Sequence, residues 1–563
     1  MIIQPILDLV AICAKKGIQN AILSPGSRCA PLTLAFARHP DIHARTISDE
    51  RSAAFIALGM AQQLGQPVVL VCTSGSAALN YYPAISEAYF QQIPLLILTA
   101  DRPAEWIDQW DGQTIYQEDV YGKHVKKTFR FPDSFEQKDQ VWHAGRIVNE
   151  AINLSRQFPA GPVHINIPLR EPFYPAEGEN FEFPELPREF TPVTSQTSLS
   201  EESLKHIKNR LQEVKRLLIV PGQQRPNPQL KTLLDQLAKN QNVVVVADTI
   251  SNLQGEYSIT LHDHWLGDER LHGDLAPDLV ISFGKSIISK SLKQFLRKQK
   301  ISHWHVQADG QAKDTFQQLT RILACSPLGF LSWLSQNLPV QDRDYLRLWT
   351  GLDKKLSQAL PGIFESIEFG EYGALHMILK KIPPFSKIHV ANSMAVRYLN
   401  FLGKRNQEII CNRGTSGIDG SNSTAVGCTF TTKEPVTLIT GDLAFFYDRN
   451  AFWHNYAMPN LRIILLNNHS GGIFRLIDGP KNQPELEEYF ETRQTLNAKS
   501  LAQEFGFAYT LVQNKTELET GIQDLFSAGV RPKLLEIQSE SSKNAQLLNE
   551  VKGLVKKLLE DPN

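Results

Sequence analysis

The chain has 563 residues, 42% of them hydrophobic, and a formal net charge of −1. Such a length exceeds what one core holds and suggests three or four domains. The balanced charge argues against a nucleic-acid or membrane-surface role, and no apolar run is long enough to span a bilayer.

The first residues, MIIQPILDLVAICAKKG, put an acid inside the apolar stretch and lysines after it. That order suits an amphipathic helix better than a secretory signal. Residues 1–185 then alternate strand-like runs (21–23, 44–47, 67–72, 95–99 and 162–167) with helical segments (30–37, 52–64 and 78–90). Repeated strand-to-helix turns ending in small or polar residues predict a doubly wound parallel sheet. The basic run at 123–127 reads as a solvated face, and the proline-rich 172–192 as a linker. A second α/β unit spans 195–340, with strands at 217–220, 243–247, 279–283 and 303–307. A third spans 350–563, with strands at 388–391, 436–440, 461–466 and 534–537 and a terminal helix at 544–559. The six cysteines are scattered without paired spacing, which suits reduced thiols in a cytosol. His262/His264 and His303/His305 lack a His-Glu-x-x-His pattern and are not read as metal sites.

The stretch 436–474 carries the most chemistry. Two β-rich runs flank a segment with helical spacing (Phe446, Asn450, Trp453, Ala457), so the strands are expected to be parallel neighbours. Gly441-Asp442 ends the first strand and Asn467-Asn468-His469-Ser470-Gly471-Gly472 the second, at the carboxyl edge where open α/β sheets bind ligands. The Asp442 carboxylate, the Asn468 amide oxygen and a backbone carbonyl, expected from Ser470, supply half an octahedral Mg²⁺ shell. Glycines let the backbone close on a diphosphate.

Gly-Asp followed by Asn-Asn at the end of the next strand resembles the diphosphate–metal motif of thiamine-diphosphate enzymes, with Leu443 where many have Gly or Ser. The resemblance implies three consecutive doubly wound domains. It also implies a Glu that bonds the cofactor's aminopyrimidine ring from a buried position, and Glu50, in Asp49-Glu50-Arg51-Ser52, is the match.

Five stretches narrow the resemblance: SPGSRCAPLTLAFARHP (24–40), CTSGSAALNYYPAISEA (72–88), LTADRPAE (98–105), NRGTSGIDGSNSTAVG (412–427) and GDLAFFYDRNA (441–451). Together they resemble the 2-succinyl-5-enolpyruvyl-6-hydroxy-3-cyclohexene-1-carboxylate synthases of menaquinone biosynthesis, which condense 2-oxoglutarate with isochorismate and release carbon dioxide. The resemblance implies thiamine diphosphate with Mg²⁺ (or Mn²⁺), a cytoplasmic homodimer or homotetramer, and active sites between subunits. For the cofactor it implies Glu50, Ser393, Gly417, Ile418, Gly441, Asp442, Leu443, Asn468, Gly471, Ile473 and Phe474, with Asp442, Asn468 and Ser470 on the metal. For two dicarboxylate substrates it implies Ser27, Arg28, Arg102, Gln113, Lys285, Ser393, Arg397, Arg413, Phe474 and Ile477. Fixed guanidinium groups are the donors such substrates need in a water-poor site. Ser286 follows Lys285 where an Arg is commoner in the family. The rival readings are a pyruvate-type decarboxylase or carboligase, against which the arginine set argues, and a non-catalytic binding protein on the same scaffold.

Overall fold

The computed structural model describes residues 3–193 and 197–560. Three parallel sheets follow one another along the chain. The first comprises β1 (Asn20–Leu23), β2 (His43–Thr46), β3 (Val68–Cys72), β4 (Leu95–Asp101), β5 (Thr128–Arg130) and β6 (Pro162–Pro168), in the order β2-β1-β3-β4-β6-β5. The second comprises β7 (Leu217–Pro221), β8 (Val244–Val245), β9 (Leu279–Phe283), β10 (Ser302–Val306) and β11 (Leu319–Leu323), ordered β11-β10-β9-β7-β8. The third comprises β12 (Lys387–Val390), β13 (Glu408–Ile410), β14 (Val436–Gly441), β15 (Leu461–Asn467), β16 (Ala508–Val512) and β17 (Lys533–Gln538), ordered β13-β12-β14-β15-β17-β16.

Successive residues of a strand point to opposite faces, and here both faces are apolar. Val68 and Leu70 of β3 enter one core and Val69 and Val71 another. In β15, Ile463 and Leu465 share the core of Val68, whereas Ile464 and Leu466 face a third cluster. The first and third sheets therefore have one core in common. It is sealed by the Glu50–Leu64 helix on the Ser421–Thr429 helix. The approach is close enough to demand glycine on each side. A Cβ at Gly59 would stand 2.1 Å from Thr424 O, and one at Gly427 2.0 Å from Ile56 O.

Several elements depart from expectation. The helix expected over 78–90 splits into Ser76–Asn80 and Tyr82–Gln91, because Pro83 has no N–H to carry the ladder across Tyr81. Helical spacing suggested a segment running on to Ala457, but the α-helix after β14 is only Asp442–Tyr447, followed by a 3-10 turn at Arg449–Phe452. Asp448 stops it by turning its carboxylate to the Ser423 N–H (2.7 Å) and hydroxyl (2.7 Å). The strand expected at 243–247 shortens to β8 and a single bridge, Val246 to Ile259. Within 123–127, Lys126 is not a solvated charge, since its Nζ caps the carbonyls of Leu154 (2.6 Å) and Gln157 (2.7 Å). The 172–192 stretch has no regular structure, yet Phe173, Phe181 and Phe183 pack it onto the first domain's core. All six cysteines are buried and free.

Candidate active site

The register of β14 and β15 sets Gly441 beside Leu466, so the turns after both strands leave from one edge. Asp442 starts the next helix there and is 2% exposed. Its Oδ2 accepts from Gln494 Nε2 at 2.7 Å and its Oδ1 from the Leu443 N–H at 2.8 Å. Asn468 donates through Nδ2 to Glu371 Oε1 at 2.7 Å. An ionised carboxylate can only accept, so Glu371 in that form fixes which end of that amide is oxygen. Asn468 Oδ1 is thereby turned into the 468–470 turn, where the Ser470 N–H reaches it at 3.1 Å. His469, with φ +61°, tightens the turn.

Burial pushes Asp442 up to about 6. It pushes Glu371 up to about 7, with Asp442 adding to the rise. None of the groups that chiefly set either value is a cation. Among the described residues no cluster of three or more His, Cys, Asp or Glu side chains is arranged to hold a metal. A mixed set of Asp442 carboxylate, Asn468 amide oxygen and Ser470 carbonyl does fit a hard divalent cation, and two unneutralised buried carboxylates suit its charge. Space for a diphosphate is open at Gly441, where nothing lies within 4 Å of a built Cβ, whereas the Gly471 N–H is already bonded at 2.6 Å to Glu491 O. Leu443 stands against that turn, 3.4 Å from where a Gly471 Cβ would be. The 3-10 turn Gly472–Leu476 carries Ile473 and Phe474, with Ile477 just beyond, all half-buried.

Beside this turn, Asn392 organises a second one after β12. Its Nδ2 donates to Asn412 O and Gly417 O, both at 2.7 Å, and its Oδ1 accepts from Arg413 Nη1 at 2.9 Å. Ser393, with φ +68°, begins the Met394–Phe401 helix, and Arg397 Nη1 returns to Ser393 O at 2.6 Å. Burial lowers the Arg397 pKa, and Arg413 lowers it further. Arg413 Nε is buried without a partner, an N–H that an anion would satisfy. Ile418 is half-buried against the third sheet's core.

The first sheet's carboxyl edge gathers a separate group. Arg28 is 8% exposed; its Nη1 donates to Leu169 O at 2.7 Å and its guanidinium lies over Phe173. Burial, then the Arg102 charge, lowers its pKa. Arg102 bonds Gly112 O (2.9 Å) and pairs with Asp111 (3.0 Å). Gln113, with φ +57°, packs where a Gly75 Cβ would come within 3.2 Å of its Cα, and Ser27 is exposed on the same edge. Glu50 begins a helix capped by Asp49, whose Oδ1 accepts from Ser52 N–H at 3.1 Å. A buried position was expected for Glu50, but it is half-buried, with Oε2 accepting from Asn80 Nδ2 at 3.1 Å.

Lys285 is committed to a protein carbonyl. The turn at Gly284 (φ +79°) packs on Gly222 and aims Lys285 at the Tyr82–Gln91 helix, where Nζ donates to Gln91 O at 2.6 Å. It lines a cavity of about 350 Å³ with Arg156, Arg225 and Glu408, and burial draws its pKa down to about 8. Sequence reasoning missed Lys293: burial lowers its pKa, and both Arg413 and Arg397 act on it. Glu371, Glu491 and Gln494 were missed as well; no local motif announces them. The histidine pairs are structural. His262 pairs with Asp248 (3.2 Å), and Ser282 Oγ bridges His303 (2.7 Å) and His305 (2.9 Å).

Comparison with known proteins agrees with this geometry. Three family models match in succession: the N-terminal TPP binding domain of thiamine pyrophosphate enzymes over residues 8–122, the middle domain over 188–390 and the C-terminal TPP binding domain over 391–537. Fold and edge chemistry thus define a thiamine-pyrophosphate enzyme. A 2-succinyl-5-enolpyruvyl-6-hydroxy-3-cyclohexene-1-carboxylate synthase of Cytophaga hutchinsonii is 46% identical over 98% of this chain and 99% of its own. Proteins of the same name from Christiangramia forsetii (39%, covering 98% of both chains) and Flavobacterium psychrophilum (39%, covering 91% and 92%) are also similar. The chain belongs to the 2-succinyl-5-enolpyruvyl-6-hydroxy-3-cyclohexene-1-carboxylate synthase family.

Proposed function

We propose that this enzyme decarboxylates 2-oxoglutarate and adds the resulting four-carbon unit to isochorismate. The products are 2-succinyl-5-enolpyruvyl-6-hydroxy-3-cyclohexene-1-carboxylate and CO₂, in menaquinone (or phylloquinone) biosynthesis. One observation carries the reading: the carboxylate-lined turn of Asp442 and Asn468 stands on the same sheet as the paired guanidinium groups Arg397 and Arg413. Thiamine diphosphate supplies the nucleophilic carbon when bound. Asp442, Asn468 and Ser470 would hold Mg²⁺ (or Mn²⁺), with Gly441 and Gly471 admitting the diphosphate and Gly417, Ile418, Leu443, Ile473 and Phe474 walling the rings. Glu50 would hold the aminopyrimidine by a hydrogen bond and exchange its proton. Arg28, Arg102, Arg397 and Arg413, with Ser27, Gln113, Ser393 and Ile477, would bind and orient the two dicarboxylates.

The resemblance to the family supports a site completed by a second copy, with Glu50 from one subunit and Asp442 from the other, in a homodimer or homotetramer. We place the domains at 1–185, 195–340 and 350–563. The last limit falls within the Arg343–Ser366 helix, whose Trp349 packs on the middle domain's core and whose Leu356 and Phe364 pack on the third's. No helix among the described residues is long and apolar enough to cross a membrane; a cytoplasmic location is part of the proposal.

The test is incubation with thiamine diphosphate, Mg²⁺ and each substrate, separately and together. CO₂ and the condensed product should form at full rate only with both. Equal turnover of pyruvate would favour the carboligase reading and overturn this one.

A further inference from the structure

One buried carboxylate reaches from the first domain into the turn that carries Arg413. Glu87, on the Tyr82–Gln91 helix, is 1% exposed. Its Oε1 accepts from the Gly414 N–H at 2.7 Å and from Gln91 Nε2 at 2.6 Å. Its Oε2 accepts from the Thr415 N–H at 2.6 Å and hydroxyl at 2.7 Å. Four donors converge on two oxygens, and only an ionised carboxylate accepts from all of them. An amide there would set its own NH₂ against one donor pair whichever way it turned, leaving a backbone N–H of the turn unpaired. The fit is tight, since a Cβ on Gly414 would stand 2.6 Å from Glu87 O.

Arg413 is held between fixed points. Glu87 grips the two residues that follow it, Asn392 Oδ1 holds its Nη1, and Ser286 Oγ of the middle domain donates to its carbonyl at 3.0 Å. Its Nε–H is left without a protein partner. We propose that Glu87 is a positioning residue for the reaction: by gripping Gly414 and Thr415 across the domain junction, it sets the Arg413 guanidinium where a substrate carboxylate is received. The inference rests on the reading of Arg413 as a substrate-binding group.

The test uses the holoenzyme with thiamine diphosphate and Mg²⁺. KM for each substrate, kcat and the thermal midpoint are measured for Glu87→Gln, Arg413→Ala, their combination and Thr415→Val. Glu87→Gln should raise the same KM that Arg413→Ala raises, by about 10-fold or more, with the thermal midpoint within a few degrees of the parent. The double variant should be no worse than Arg413→Ala, because a misplaced guanidinium costs nothing once it is absent. Thr415→Val, which removes one hydroxyl donor, should shift that KM in the same direction by less. An unchanged KM in Glu87→Gln, or losses that add in full in the double variant, would overturn the proposal. If Glu87→Gln does not fold, Thr415→Val decides, and an unaltered KM there overturns it. Failure of the underlying reading looks different: Arg413→Ala alone would then leave both KM values at the parent level.

Discussion

Gln494 Nε2 lies 2.7 Å from Asp442 Oδ2, and the same amide reaches Asn467 Oδ1 at 3.1 Å. One side chain thus ties the carboxylate after β14 to the strand that delivers Asn468. Asp442→Ala should abolish Mg²⁺-dependent binding of thiamine diphosphate while the far-UV circular dichroism stays that of the parent. Gln494→Ala, which frees Asp442 to turn, should weaken that binding by about 10-fold through a lost hydrogen bond to a charged group. Titration calorimetry with and without Mg²⁺ checks both, and undiminished affinity in Asp442→Ala would remove the metal assignment.

Arg28, Arg397 and Arg413 each give one Nη donor to the protein, on Leu169 O, Ser393 O and Asn392 Oδ1, whereas Arg102 gives two, to Gly112 O and Asp111. Arg413 Nε and Arg102 Nε are buried without a partner. Arg28→Ala, Arg397→Ala and Arg413→Ala should each cost roughly 1.5–3 kcal/mol of charge-assisted bonding, or about one to two decades in kcat/KM. Thiamine diphosphate affinity should barely move. A drop in cofactor affinity with unchanged substrate parameters would give these arginines another role.

Two buried histidines should give the fold a pH dependence in a definite window. Burial holds His389 and His164 down to about 3, so both stay neutral in the native chain. Unfolded histidine titrates near ~6.5, so between there and about 3 the unfolded state binds more protons. The contribution of these two histidines therefore rises with pH across that window and is lost as pH falls through it, at roughly 1.4 kcal/mol per pH unit for each group. The raised carboxylates of Asp442 and Glu371 act in the opposite sense. The denaturant midpoint of His389→Leu should depend less steeply on pH between 5 and 6 than the parent's. Identical slopes would show that His389 is protonated in the native state.

Shared sites predict complementation. Glu50→Ala and Asp442→Ala should each be inactive, yet mixing them under conditions of subunit exchange should restore activity. One site of each mixed dimer collects both defects and the other collects none, so about half of the mixed dimers' sites should work. If Glu50 served its own chain's cofactor, every site would keep one defect. No recovery despite proven exchange rules out the shared arrangement.

The strands that carry the metal turn were legible because they are central. β14 (VTLITG) and β15 (LRIILLN) are covered on both faces and are rich in β-branched and apolar residues. Four strands the sequence did not announce, β5, β11, β13 and β16, all lie at sheet edges. Three residues of β11 and one of β16 are exposed, so their composition resembles that of loops. Helical spacing overran to Ala457 because periodicity carries no sign of the Asp448 carboxylate turning to Ser423 of another helix.

Residue type and local order determined the fold class and the Gly441-Asp442 and Asn468 turns, since a strand followed by a polar, glycine-bearing turn is a chemistry of neighbours; the candidate arginines came from motifs that resemble the family's. Tertiary structure alone decided what holds those groups in place. Gln494 is 52 residues from Asp442, Glu371 is 97 from Asn468 and Glu87 is 327 from Gly414. It also decided that Lys285 donates to Gln91 O. A buried donor or acceptor must find its partner wherever packing brings one, and separation along the chain places no constraint on that meeting.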